Sequence, residues 1–228
     1  MNRIDTLQKL IADLQNPSST VSSLHSTLLS LIALFNSSQH IPADADIAEE
    51  GTSIRPLSDL VVLAGLLYTL LQHKKQKIRH AGGTLVSLLA AGTSEDLQIL
   101  IDAHIFPVLL PYLLEGDMVM QATTLHALHA AVTHSSFEQM RHFVQRIKVL
   151  PPLVPLLSHT NSTILLIALD SVLKILQCFE SIGPDELLAI CAEFAELSGV
   201  QKLESLQLHH AMEVYQTSLD LHTRYFLT

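Results

Sequence analysis

Three histidines lie close together in the stretch LHALHAAVTH, which its apolar spacing predicts to be helical. His126 and His129 are one helical turn apart, a spacing at which two imidazoles can share a zinc ion. No cysteine or carboxylate stands at matching spacing in that stretch, so the ligand set is incomplete. We therefore predict no metal site and no cofactor, and we interpret His126, His129 and His134 as packed or solvent-facing side chains.

Catalytic motifs are missing from the sequence. It contains no phosphate loop of the form G-x-x-x-x-G-K and no G-x-S-x-G turn for a nucleophilic serine. No nucleophile stands with a base and a residue to orient that base. Cys178 and Cys191 fit small buried side chains, because two cysteines do not build a disulfide framework. We predict that the chain is not an enzyme and has no catalytic residues.

The charge and hydropathy of the chain narrow the choice of partners. The formal net charge is −9, which argues against nucleic acid as the main partner. No window reaches the unbroken apolar length of a membrane span, and the first residues carry charges where a signal peptide needs an apolar core. We therefore expect an intracellular chain that binds neither nucleic acid nor a membrane.

Paired prolines indicate a repeat. Pro107 and Pro111 recur 44 residues later as Pro151 and Pro155, and each pair lies in an apolar run. Because proline fits the first turn of a helix but breaks its interior, each pair predicts one helix ending and another beginning. The leucine pairs that close such runs stand 43 residues apart, at Leu70 and Leu71, Leu113 and Leu114, and Leu156 and Leu157.

Longer amphipathic helices complete each repeat. They are predicted to open at Ile78, Gln121 and Ile164, seven residues after each leucine pair. Shorter helices are predicted to begin at Ser94 and Ser136, which we assign as their N-caps. A helical period of about 40–47 residues is typical of armadillo and HEAT repeats. We therefore predict an all-α fold: an armadillo-repeat right-handed superhelix (α-solenoid) of about four to five repeats, with a concave binding surface.

The repeat divides the chain into three parts. Residues 1–34 are interpreted as a partial N-terminal armadillo repeat. Residues 35–60 are polar and rich in acidic and turn residues, which predicts a long loop whose composition is compatible with disorder. Residues 61–228 are predicted to form armadillo repeats that end in a C-terminal capping repeat.

Several stretches resemble importin α, the armadillo adaptor of nuclear import. LIDAHIFPVL at 100–109 is similar to the family's V-I-D-A-G-I-F-P-V-L, and SFEQMRHFV at 136–144 resembles its S-P-E-Q-I-R-Y-L-V. Gly199 to Phe226 is similar to the family's last repeat, in the order G-V-x-K-L-E-x-L-Q-x-H, V-Y, S-L-x-L and Y-F. The resemblance covers most of residues 62–228 and implies the C-terminal half of the family, without its importin-β-binding segment.

The resemblance also implies where a peptide would bind. In importin α, tryptophan and asparagine residues four apart on successive third helices hold an extended basic peptide, the rings by cation–π contacts and the amides by hydrogen bonds. This chain contains no tryptophan. Other residues occupy the matching positions, and we predict these as degenerate positions of a peptide-binding groove: Ser26, Ser30, Thr84, Leu88, His126, Ala130, Asp170 and Lys174.

A second implied site lies at the C-terminal end. In the family, this end contacts the export receptor that returns importin α to the cytoplasm. The residues here that fall in the similar segment are Glu204, His209, Tyr215 and Tyr225. We interpret them either as contacts to such a receptor or as part of the capping repeat. The resemblance further implies a protein or extended peptide in the groove, and a location in cytoplasm and nucleus.

Two functions fit these observations. The first is an importin-α-like adaptor, non-catalytic and linked to nuclear protein import, in a family of localisation-signal receptors whose Trp/Asn array this chain has lost. The second is an armadillo scaffold that no longer binds localisation signals and serves a different protein partner. A third, remoter interpretation has residues 10–34 completing a repeat with another chain, because the exposed apolar ends of a solenoid favour dimers.

Overall fold

The structure, a computed structural model, describes residues 3–36 and 57–227, and all regular secondary structure in these ranges is helical. It divides into a first unit, Met1–Leu109, and a second unit, Leu110–Thr228. Residues 37–56, which make up most of the predicted loop, lie outside the described residues. The helices of the first unit are α1 (Arg3–Gln15), α2 (Val21–Asn36), α3 (Leu57–Leu71), α4 (Gln76–Ala90), α5 (Ser94–Asp102) and α6 (Ile105–Leu109).

The second unit contains a π-helical segment and a 3-10 helix in addition to its α-helices. The π segment is Phe143–Ile147, and the 3-10 helix is Val154–Ser158. The α-helices are α7 (Tyr112–Glu115), α8 (Met118–His134), α9 (Phe137–His142), α10 (Leu150–Leu153), α11 (Ser162–Ile182), α12 (Pro184–Glu196), α13 (Gly199–Leu206) and α14 (Met212–Tyr225).

Each unit is held together by apolar side chains between neighbouring helices. In the first unit, α2 packs along α4, and α3 packs against α4, α5 and α6, with Leu31 and Leu67 fully buried. In the second unit, α11 is central and packs against α8, α12 and α14, with Leu169 and Phe179 buried. The helices predicted from Gln121 and Ile164 are α8 and α11, and they lie side by side as the repeat requires.

The prolines stand at helix starts. Pro107 lies in the first turn of α6, and Pro111 is the N-cap of α7. Pro151 and Pro155 are the second residues of α10 and of the 3-10 helix. None of the four interrupts a long helix, which agrees with their predicted place at helix starts. The bend after Ser94–Asp102 falls at residues 103–104, before Pro107, so the chain changes direction there and not at the prolines.

The predicted N-cap is confirmed for one short helix and shifts by one residue for the other. Ser136 caps α9, and its side chain and that of Gln139 form a reciprocal capping box. In the first unit, Thr93 rather than Ser94 caps α5, with Asp96 as the reciprocal partner. Threonine three residues before a carboxylate satisfies two backbone N–H groups at once, and this advantage selects Thr93 over the adjacent serine.

Three non-glycine residues of the described ranges have left-handed backbone, and one of them is Ser198, the N-cap of α13, with φ 61°. His104, between α5 and α6, has φ 55°, and Lys148, between the π segment and α10, has φ 60°. They are 44 residues apart, the same offset as the prolines. Steric repulsion of Cβ makes this conformation costly for residues other than glycine. Both repeats therefore carry a strained residue at the same junction.

Helix α11 is long and apolar enough to cross a membrane by length and composition alone. Half of its most apolar window is buried inside the structure, as expected of a core helix. It also carries Asp170 and Lys174 near its middle. We therefore interpret α11 as a helix whose apolar residues serve internal packing.

The strain at His104 predicts a stabilising substitution. His104→Gly removes the Cβ repulsion and no buried side chain, because His104 is exposed, so we expect the free energy of unfolding to rise by about 0.5–1 kcal/mol. The control is His126→Gly, an exposed position inside α8, where glycine should cost about 1 kcal/mol. Urea unfolding followed by circular dichroism measures both. Equal effects of the two substitutions would contradict the assignment of strain.

Candidate functional site

The matched positions of the first unit lie on α2 and α4, two helices that pack along each other. Ser26 and Ser30 are exposed, and Thr84 and Leu88 are half-buried. The hydroxyl of Ser30 donates to the carbonyl of Ser26 at 3.0 Å, and that of Thr84 donates to the carbonyl of His80 at 3.0 Å. These side chains offer no aromatic slot, and neither α2 nor α4 contains an acidic residue that could receive a lysine ammonium.

The matched positions of the second unit lie on α8 and α11. His126 is exposed, whereas Ala130, Asp170 and Lys174 are half-buried. Asp170 Oδ2 lies 3.5 Å from Nε2 of His129, so a polar contact joins the two helices. Asp170 is the one carboxylate among the matched positions, and it faces a histidine of the same unit.

Ser171 extends this contact on the other side of the imidazole ring. Its Oγ lies 3.3 Å from Nδ1 of His129 and donates to the carbonyl of Ile167 at 2.7 Å. While the hydroxyl proton is used in that way, Nδ1–H of His129 can donate to Ser171 Oγ. A protonated ring then donates on both sides, to Ser171 and to Asp170.

The environment of His129 opposes that protonation. Burial is the largest effect and lowers the pKa of His129 below its usual value of 6.5. The Asp170 carboxylate raises the pKa of His129, whereas electrostatic repulsion from His126, Lys174 and His134 lowers it. The ring is therefore neutral at pH 7, and its protonation is coupled to the charges that face it from α8 and α11.

A pocket of about 320 Å³ opens beside Lys174, between the end of α8, the start of α9 and α11. We call it the Lys174 pocket. Its lining includes Val132 of α8, Phe137 and Met140 of α9, and Cys178 of α11, with the polar turn at Ser135 and Ser136. Val132 and Met140 are buried, and Phe137 is 59% exposed.

Sequence reasoning found Lys174 through its matched position but missed the pocket. Phe137 and Lys174 are 37 residues apart in the chain, and no local pattern connects them. One usable signal was Phe137 itself, a large apolar residue directly after the N-cap, where a short helix normally presents polar groups to water.

The two cysteines are free and half-buried. Burial raises the pKa of both thiols, and the charge of Arg141 partly opposes the shift at Cys178. Both are therefore thiols rather than thiolates at neutral pH. Within residues 3–36 and 57–227, no group of three or more histidine, cysteine or carboxylate side chains could hold a metal ion.

The C-terminal residues are placed among the packed helices α11 to α14. Tyr225 donates its hydroxyl to Glu180 Oε2 at 2.9 Å, and Arg224 pairs with the same oxygen at 2.7 Å. Burial, together with the hydrogen bond to Glu180, raises the pKa of Tyr225 to about 12. These contacts join the end of α14 to the end of α11. They explain the position of Tyr225 as part of the helix packing.

The other predicted contact residues keep more exposed polar surface. Glu204 is exposed and lies 3.7 Å from His222 Nε2. The ring of His209 stacks on that of His210 with centroids 4.3 Å apart. Tyr215 is half-buried on α14. Glu204 and His209 are therefore better placed than Tyr225 to meet another molecule.

Comparison with known proteins identifies the fold. No family model matches the sequence. A computationally designed armadillo repeat protein for modular peptide recognition has a TM-score of 0.70 and 20% identity, and the match covers 93% of this chain and 79% of that one. A designed armadillo repeat protein in complex with peptide (KR)4 has a TM-score of 0.59 and 17% identity, over 94% and 98% of the two chains. The predicted all-helical armadillo-repeat fold is thereby confirmed.

One curated protein is similar to about half of the chain. Importin subunit alpha-8 of Mus musculus is 24% identical over 123 residues, which is 54% of this chain and 24% of the mouse protein. The chain therefore spans about a quarter of the length of the curated relative it matches. This similarity agrees with the resemblance to importin α without placing the chain in that family.

The contact between His129 and Asp170 predicts a specific titration. We expect the His129 ring to titrate below pH 6.5 in the NMR spectrum. Asp170→Asn should lower its midpoint further, because the substitution removes the charge that favours the imidazolium. Asp220→Asn on the exposed surface of α14 is the control and should leave the midpoint unchanged.

The lowered pKa of His129 determines whether the free energy of unfolding rises or falls with pH. The unfolded chain binds the His129 proton more readily than the folded chain, so the free energy of unfolding falls as pH drops through 6.5 toward the folded pKa. His129→Gln should remove that part of the decrease. A His129 midpoint above 6.5, or one that Asp170→Asn raises, would contradict the assignment.

Proposed function

We propose that this chain is a non-catalytic armadillo adaptor that binds extended segments of another protein along the packed helix pairs of its units, α2 with α4 in the first and α8 with α11 in the second. The observation that carries the proposal is the pairwise packing of these helices within an armadillo fold, with the matched positions at least partly exposed. Solved proteins of this fold include one designed for modular peptide recognition and one bound to a peptide. Helices packed within one unit present fixed side chains to such a segment at little entropic cost.

We assign the adaptor to nuclear protein transport, in the cytoplasm and the nucleus. The similarity to importin subunit alpha-8 supports this assignment, as do the three quoted stretches that resemble the family. The groove itself is changed. Serine, threonine, leucine, histidine and alanine replace the rings and amides that grip a basic peptide in importin α, and Asp170 faces His129.

A second function is favoured by those same replacements. A scaffold that has left transport would keep the packed helices and lose the side chains that recognise localisation signals. None of the eight matched positions is tryptophan or asparagine, which agrees with a scaffold that does not recognise localisation signals. The partners that the chain binds distinguish the two functions.

The altered groove predicts weak binding of basic peptides. A fluorescent lysine-rich localisation peptide should show no saturable binding at micromolar chain concentration, even at low salt. Installing one slot with His126→Trp and Ala130→Asn should tighten binding by about 2- to 30-fold, the worth of one cation–π contact. Fluorescence anisotropy measures both, and Ala130→Asn alone is the control. Micromolar binding of the localisation peptide by the unchanged chain would contradict the prediction that this chain binds basic peptides weakly.

The transport assignment predicts a partner at the C-terminal end. The immobilised chain should retain a purified nuclear export receptor for importin α from solution. Glu204→Lys should reduce the retained amount about tenfold if that exposed carboxylate contacts the receptor. Glu213→Lys makes the same charge change on α14 and serves as control. Failure to retain the receptor, or any importin-dependent cargo, would favour the scaffold outside transport.

A further inference from the structure

We propose that the Lys174 pocket takes a large apolar side chain of an extended peptide, and that Lys174 pairs with a carboxylate close to that side chain in the peptide. The inference rests on the proposed function, because it names the class of peptide that the adaptor would bind. It reverses the charge preference that the resemblance to importin α implies. The second unit would select apolar and acidic segments where the family selects basic ones.

The walls of the Lys174 pocket provide the apolar half of this recognition. Val132 and Met140 form a buried floor, with 3% and 2% of their surface exposed, and Phe137 stands at the rim with 59% exposed. The volume of about 320 Å³ is at the small end of ligand pockets and is large enough to admit one large apolar side chain. An incoming leucine, methionine or phenylalanine would cover the exposed ring of Phe137 and lose its own contact with water.

The charges around the pocket provide the polar half. Lys174 is the one charged residue in the lining, and no carboxylate lines the pocket. Within the described ranges, its ammonium group makes no hydrogen bond or ion pair with another side chain. Asp170, one turn earlier on α11, faces His129 at 3.5 Å. The ammonium is therefore available to a ligand, and a carboxylate can accept charge-assisted hydrogen bonds from it.

Neighbouring helices strengthen that preference. Arg141 on α9 is close enough to lower the pKa of the Cys178 thiol in the pocket wall. His134 ends α8 next to the polar turn, and Glu138, the nearest acid in the α9 sequence, is not part of the lining. A lysine or arginine entering the pocket would meet Lys174 without a lining carboxylate, so a basic peptide is disfavoured there.

The geometry of an extended peptide determines which of its residues can meet the apolar lining and which can meet Lys174. Alternate side chains of an extended chain point the same way, about 7 Å apart. Met140 and Lys174 line the same pocket, so the peptide residue that meets Lys174 must lie close in sequence to the apolar side chain on Met140. We expect the selected segments to contain an apolar residue with aspartate or glutamate within two positions.

Selection of short random peptides displayed on phage, with the full chain as target, tests the inference. We expect enriched peptides to combine a large apolar residue with a nearby carboxylate. Lys174→Glu should weaken their binding by about tenfold or more, because it places like charges together. Phe137→Ser should weaken binding by about three- to tenfold. The controls are Arg146→Glu, an exposed charge reversal, and Leu188→Ser, an exposed apolar position on α12.

The cysteines give an independent readout of occupancy. A bound peptide should slow alkylation of Cys178 at least about threefold, because that thiol lines the pocket. Cys191 is also half-buried with a raised pKa but is not in the lining, so its rate should not change. Mass spectrometry after limited reaction reads both sites in one sample.

The outcomes separate this inference from the proposed function. Enriched peptides that are basic, or that bind equally well to Lys174→Glu and leave Cys178 reactive, would overturn the pocket assignment while the adaptor function stands. If no peptide is enriched on the chain, both fall. Enrichment of apolar, acidic peptides with loss on Lys174→Glu and protection of Cys178 supports both.

Discussion

Burial of leucine-rich faces between neighbouring helices is the interaction on which the structure depends. No single repeat can remove its apolar face from water, so α2 must pack on α4 and α11 must pack on α8. The fully buried residues Leu28, Leu85, Leu128 and Leu165 lie on these four helices. Their packing sets the distance between the exposed side chains of adjacent helices. It therefore sets the spacing of the matched positions on those helices.

Apolar packing between helices constrains the sequence less tightly than a peptide-binding site does. Apolar packing tolerates exchange among leucine, isoleucine and valine provided that volume and pattern are kept. A peptide slot needs particular residues, since a cation–π contact requires an aromatic ring and an ammonium requires a carboxylate or other acceptor. The chain therefore keeps the armadillo helices at 20% identity to a designed relative, while Thr84 and His126 stand at positions that the resemblance assigns to tryptophan.

The polar groups between α8 and α11 follow from the same packing. His129 and Ser171 stand where the helices meet, and Asp170 lies next to them, so each must find a partner across the contact. Together with Lys174 they place both signs of charge in one strip of the second unit. In the first unit the matched positions on α2 and α4 carry only hydroxyl and apolar side chains. The two units therefore offer a ligand different chemistry along equivalent helices.

The sequence by itself determined the repeat and its helices. The long helices α4, α8 and α11 begin two or three residues before their predicted starts at Ile78, Gln121 and Ile164. The proline pairs, the leucine pairs and Ser136 act through local rules of helix geometry and capping, which operate within one or two turns of the chain. It also determined that the matched positions lack tryptophan, since that is a matter of composition. The choice of Thr93 over Ser94 lay within the ordinary uncertainty of a helix end.

Only the tertiary structure decided what the candidate site contains. The contact of His129 with Asp170 spans 41 residues, and the pocket brings Phe137 against Lys174 across 37. Such pairs depend on the rotation and offset of one helix against the next, which the summed packing of many buried side chains sets. The left-handed backbone at His104 has the same origin, because the docking of α5 and α6 imposes a turn that histidine would not adopt on its own.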